Sequence, residues 1–160
     1  MEQFSFSYTK TSVGKLSERI AALIGTARNA TTLAYAPYSG FKVGAAVLME
    51  DGSMISGANK ESAAFSAGIC AERAALSNIC FGDHGHRVLA IAIAYNSENG
   101  VAMPLSPCGV CRQFILEVQQ QQGMPIAVYM TSPNDEVIVV DDAAHLLPLY
   151  FSNSFLKQEA

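Results

Sequence analysis

The chain has 160 residues, half of them hydrophobic and 15% charged, with a formal net charge of −4. That length suits one domain, and the composition supports a folded core rather than a disordered chain. No dense run of Lys or Arg occurs, so the basic stripe that holds long nucleic acid is missing and no stable nucleic-acid partner is expected.

The opening MEQFSFSYTK lacks a basic segment followed by an apolar core, so it does not read as a secretory signal. Residues 1–14, rich in Ser, Thr and Phe, are expected to form an irregular arm. From Lys15 to about Leu33, Leu16, Ile20, Leu23, Ile24 and Ala27 recur at helical spacing. Pro37 and Gly40 then break the chain. VGAAVLM at 43–49 and SMISGAN at 53–59 read as strands joined by a hairpin turn at Asp51-Gly52. Residues 69–81 read as a helix ending before Gly82.

VLAIAIAY at 88–95 is the longest strongly apolar run. It is too short to cross a bilayer and predicts a buried strand, so no membrane association is expected. After a polar loop at 96–107, a helix is predicted from Cys108 to about Gln122, with Gly123 beyond its end. IAVYM at 126–130 and EVIVV at 136–140 read as strands around an SPND turn, and Asp141 or Asp142 is placed to cap a last helix. The order α-β-β-α-β-α-β-β-α predicts an α/β fold. A five-stranded sheet covered by helices on both faces makes a three-layer α/β/α sandwich, with residues 1–160 as one domain.

The expected compartment is cytoplasmic, where four cysteines are metal ligands, catalytic groups or buried apolar residues rather than a disulfide framework. Cys108 and Cys111 lie three apart, on one helix face, with Cβ atoms about 5–6 Å apart. Pro107 precedes them, as at a helix start. Cys70 also sits near a predicted helix start. Unpaired N–H groups in a first turn stabilise thiolates. Three such thiolates suit Zn²⁺, which takes sulfur at ~2.3 Å and, with three protein ligands, keeps a fourth position for water. The bound water is acidified to a nucleophile near neutral pH. Glu72, two residues from Cys70, is close enough to take that water's proton and deliver it to a substrate nitrogen.

Taken alone, PCGVC at 107–111 fits a structural zinc half-site or a redox pair as well as a catalytic one. A redox dithiol leaves CAER at 70–73 unexplained. Cys80 is ten residues from Cys70, roughly 15 Å along a helix, and reads as a buried apolar residue instead of a fourth ligand. His84 and His86 fall in a polar loop, and His145 reads as a surface or helix-end residue. Arg73 and Arg112 directly follow metal ligands, where a guanidinium donating to sulfur would offset the net −1 of three thiolates and Zn²⁺. Zinc nucleobase deaminases combine a His- or Cys-x-Glu with Pro-Cys-x-x-Cys, and both halves are present here.

The chain resembles the small, homotetrameric cytidine deaminases. AYAPYSGFKVGAAVL at 34–48, SGANKES at 56–62, GICAERAAL at 68–76, SPCGVCRQF at 106–114 and HLLPLYF at 145–151 follow the family's order, and the resemblance covers roughly residues 16–151. The resemblance implies a cytidine deaminase-like mixed sheet and one Zn²⁺ per subunit on Cys70, Cys108 and Cys111. Glu72 would be the proton shuttle, and Asn59 and Glu61 would hydrogen-bond the ribose 3′-hydroxyl. Phe41 would pack on the pyrimidine, and the Ala71 N–H would read its O2 carbonyl. Family members complete each site with a neighbouring subunit, and Phe151 matches the aromatic that reaches across, so a homotetramer is implied.

The expected reaction is hydrolytic deamination of cytidine and 2′-deoxycytidine, with release of ammonia. The alternatives are a deaminase of another aminopyrimidine nucleoside and a non-catalytic zinc-stabilised nucleoside-binding module. Two departures from the family pattern stand at Ser62 and at Phe65, where the family often has Asn and Tyr.

Overall fold

The computed structural model describes residues 1–79, 87–96 and 102–156. Cys80, His84, His86 and residues 97–101 of the expected polar loop lie outside the described residues.

Among the described residues, six strands form one mixed sheet, where five were expected. They are β1 (Thr9–Ser12), β2 (Lys42–Met49), β3 (Met54–Ala58), β4 (Val88–Asn96), β5 (Ala127–Thr131) and β6 (Glu136–Val140). Their order is β1-β6-β5-β4-β2-β3; β4 and β5 pair in parallel and every other pair is antiparallel. The additional strand is β1, inside the segment expected to be an irregular arm. Its sequence, TKTS, has no apolar alternation, and it is a strand because Thr9–Ser12 pairs with residues 136–139 at the edge of β6.

The helices are α1 (Glu18–Ala30), α2 (Ala71–Leu76) and α3 (Gly109–Gln122). α1 starts later than the periodicity predicts because Ser17 caps it, its side chain accepting from the Ile20 N–H at 3.4 Å. α2 is shorter than the predicted 69–81: Cys70 is its N-cap, and the helix passes into a turn at Ser77. α3 ends where Gly123 adopts φ +66°, a left-handed conformation that favours glycine. The last predicted helix is a single 3₁₀ turn, Ala143–Leu146, with the Asp142 side chain accepting from the Ala144 N–H.

β4 shows why the sheet needs helices on both sides. Its Ile91 and Ile93 join Ala45 and Val47 of β2, Ala75 of α2 and Ile115 of α3 in one buried layer. Its Ala90, Ala92 and Ala94 join Ala46 and Leu48 of β2 in a second layer beneath Leu23, Ile24 and Ala27 of α1. The α/β/α layering is thus written into alternating large and small residues. Two glycines let helices approach closely. A Cβ on Gly44 would lie 2.1 Å from the Ala27 carbonyl oxygen, and one on Gly57 2.3 Å from the Ala75 nitrogen. α3 crosses over from β4 to the parallel β5, so its N-terminus opens beyond the carboxyl end of β4, where open α/β sheets place their ligands.

Candidate active site

Cys70 and Cys108 occupy the N-cap positions of α2 and α3, and Cys111 lies in the first turn of α3. Two helices that begin side by side therefore bring the three sulfurs together, all within 4.8 Å of one another. Cys70 and Cys108 sulfurs are 3.8 Å apart, and Cys108 and Cys111 sulfurs 3.5 Å. A tetrahedral zinc with sulfur at ~2.3 Å sets neighbouring sulfurs about 3.8 Å apart. The donor set and its spacing fit that ion.

Without metal, the sulfurs divide the charge unequally. A hydrogen bond from Cys111, helped by Cys108 and Arg73, lowers the Cys70 thiol to about 5 against the effect of burial. Cys111 is pushed up because it donates to Cys70 and is itself buried. Zinc requires all three as thiolates, so its binding displaces the protons that remain.

Glu72 follows Cys70 by two residues and is 4% exposed, yet its side chain borders a cleft of about 610 Å³. Burial holds its carboxyl above the usual range, and the Cys70 charge adds to the effect. A carboxyl so tuned, beside three sulfurs, suits a proton carrier. Ala71 lines the same cleft, and so do Phe41, Asn59, Glu61 and Arg73.

Asn59, Lys60 and Glu61 form an extended segment held on both sides by backbone hydrogen bonds, to Tyr35 and to Ile69. Alternation in such a segment puts residues 59 and 61 on one side. The intervening Lys60 ammonium donates to the Leu33 carbonyl. The Asn59 side chain accepts from the Val43 N–H at 2.8 Å and donates to the Phe41 carbonyl at 2.9 Å. Glu61 accepts from the Ser39 hydroxyl and from the Tyr38 and Ser39 amides. These bonds, the Ser39 hydroxyl first among them, hold its carboxyl below the usual range. Each side chain keeps unused lone pairs, and Asn59 a second amide proton.

The remaining candidates are placed as follows, with Arg112 the one whose contacts differ from expectation. Arg73 acts on Cys70 as expected, but also donates to the Gly68 carbonyl at 3.2 Å. Arg112 turns to carbonyls instead of sulfur, donating to Pro107 at 2.9 Å and to Leu146 at 3.0 Å. Phe151 lies outside the cleft of its own chain, 58% exposed and stacked on Phe155. Ser62 and Phe65, the two departures, both line the cleft, where Phe65 meets Tyr38 edge-on at 5.9 Å.

Sequence reasoning missed Ser39 and Tyr95. Ser39 supports Glu61; it stood inside the AYAPYSGFKVGAAVL stretch and the turn flanked by Pro37 and Gly40 but was given no role. Tyr95 stacks on Phe41 with ring centroids 5.1 Å apart. The signal for Tyr95 was available: it shares the odd-numbered face of β4 with Ile91 and Ile93.

Comparison with known proteins agrees with this geometry. A family model of the cytidine and deoxycytidylate deaminase zinc-binding region matches residues 17–127. The cytidine deaminase of Sporosarcina psychrophila is 39% identical over 141 residues, 88% of this chain and 97% of that protein. That of Halalkalibacterium halodurans is 45% identical over 96 residues, 60% of this chain and 69% of that protein. Among solved structures, the cytidine deaminase from Burkholderia pseudomallei superposes with a TM-score of 0.67 at 36% identity, covering 85% of this chain and all of its own.

Proposed function

The chain belongs to the cytidine and deoxycytidylate deaminase family, and from that premise we propose that it is a zinc-dependent hydrolase converting cytidine and 2′-deoxycytidine to uridine and 2′-deoxyuridine. The observation that carries the reading is Glu72 buried beside the Cys70, Cys108 and Cys111 sulfurs on the wall of a nucleoside-sized cleft. When bound there, zinc supplies an acidified water as nucleophile near neutral pH.

The chain's own residues do the rest. Glu72 accepts the proton released when water attacks C4 and passes it to N3; it then takes the proton of the new C4 hydroxyl and delivers it to the amine, which leaves as ammonia while the C4 carbonyl forms. Phe41, backed by Tyr95, presents a flat apolar wall to the pyrimidine. The free hydrogen-bonding capacity of Asn59 and Glu61 meets the sugar 3′-hydroxyl, and the Ala71 N–H meets the O2 carbonyl. Arg73 offsets the charge of the sulfurs through Cys70.

The same reading makes the protein a cytoplasmic homotetramer in which Phe151 enters a neighbour's cleft. It is supported by the exposed run of Leu149, Phe151, Phe155 and Leu156, large apolar side chains that suit burial against another copy. Among the described residues, no helix is long and apolar enough to cross a membrane.

The test is a spectrophotometric assay of the zinc-loaded protein on cytidine, 2′-deoxycytidine and 2′-deoxycytidylate. Turnover of the two nucleosides, with the nucleotide much slower, is expected. Zinc-loaded protein inactive on both nucleosides would overturn the substrate assignment.

A further inference from the structure

The family match begins at residue 17, yet the preceding segment is fastened to the molecule in two ways. The backbone of β1 pairs with β6. Upstream of β1, Phe4, Phe6 and Tyr8 alternate, so in an extended segment they share one side. Phe4 meets the His145 ring edge-on at 6.4 Å, and Phe6 stacks on it at 6.0 Å.

His145 sits in the 3₁₀ turn Ala143–Leu146. That turn is tied to α3 at two points. Gln119 donates to Asp142 at 2.7 Å, and Arg112 donates to the Leu146 carbonyl at 3.0 Å. Arg112 also donates to the Pro107 carbonyl, directly before Cys108. The Cys108 side chain makes no capping bond to α3; its carbonyl accepts from the Arg112 backbone N–H at 2.9 Å, and the Arg112 side chain restrains the peptide just before it. A contiguous set of contacts therefore runs from the arm through His145, Leu146, Arg112 and Pro107 to Cys108.

We propose that Phe4, Phe6 and His145 are positioning residues: the arm clamps the 143–146 turn, and the turn, through Arg112, holds Cys108 in place for zinc. The inference rests on zinc binding by the three cysteines, which the zinc content of the unaltered protein checks separately. Groups that touch metal ligands directly change metal affinity by 10–100-fold, and these residues act one step further out.

Zinc-loaded wild type, Phe4→Ala/Phe6→Ala, His145→Ala and His145→Phe are mixed with excess chelating dye, and release is timed. Melting temperatures are measured alongside. Ile24→Val, on the buried face of α1 and across the sheet from α3, serves as a destabilised control. Release is expected to quicken roughly threefold to tenfold in the two alanine variants. It should stay near wild type in His145→Phe, which keeps the stack, and in Ile24→Val. Unchanged release in the alanine variants overturns the proposal. So does release that follows melting temperature alone, with Ile24→Val as fast, or equal acceleration by His145→Phe. Absence of zinc from the wild type would instead overturn the metal assignment.

Discussion

The Glu61 carboxylate accepts from the Ser39 hydroxyl and two backbone amides, and these bonds favour its charged form. Its folded pKa is therefore below the unfolded one, so the stability it contributes is present above the ordinary value of 4.5 and is lost as pH falls through the lowered value. Glu61→Gln should melt below wild type at neutral pH, and the gap should narrow as pH drops below the ordinary glutamate range. Paired melting curves across pH measure this; a gap independent of pH would contradict the role given to the charge. At this scale the sequence was most legible where chemistry restricts the residue type. Cys70, Glu72, Cys108 and Cys111 were singled out from their spacing at predicted helix starts together with the paired deaminase motif, and the structure brings all four together. Arg112 was harder, because adjacency to a ligand along the chain does not say where a long side chain turns. The Pro107 and Leu146 carbonyls are partners that only the folded chain supplies.

Helix starts carry the site, so helix placement matters as much as residue identity. α2 rests on β3 at Gly57, where an added Cβ would lie 2.3 Å from the Ala75 nitrogen and 2.7 Å from the Ala71 oxygen. Backbone cannot yield as a flexible side chain does, so Gly57→Ala must displace α2, and with it Cys70 and Glu72. We expect destabilisation of about 1–3 kcal/mol, typical of overpacking, with reduced zinc retention. Gly14→Ala, which meets nothing within 4 Å, is the control. Chemical denaturation and zinc content measure both; a Gly57→Ala protein matching the control would contradict the packing argument. Strongly periodic or continuously apolar elements such as α1, α3 and β4 were legible from sequence. β1 was not, because a four-residue polar strand exists only through its pairing with β6. The end of α2 was missed because the chain turns at Ser77 while its composition still favours helix.

The described residues combine a three-layer fold, a cleft near the paired helix starts, and an exposed apolar segment at 149–156. The layers were legible because helices and strands alternate along the chain, and the alternating Ile and Ala of β4 show the matching demand for cover on both faces. The destination of Phe151 came only from the family resemblance: in its own chain the side chain stacks on Phe155 and is 58% exposed, and its place in another copy's cleft is the proposal. Phe151→Ala is expected to weaken self-association and raise KM for cytidine, measured by sedimentation velocity and steady-state kinetics. Unchanged assembly and KM would remove Phe151 from the site.

The most direct test of the central claim is the turnover of cytidine by zinc-loaded Glu72→Gln beside zinc-loaded wild type, with zinc content measured on both. A proton carrier is worth roughly 10²–10⁴-fold in rate, so the variant should bind zinc as wild type does and lose at least that much activity. A variant that keeps its zinc and deaminates cytidine at a comparable rate would contradict the account.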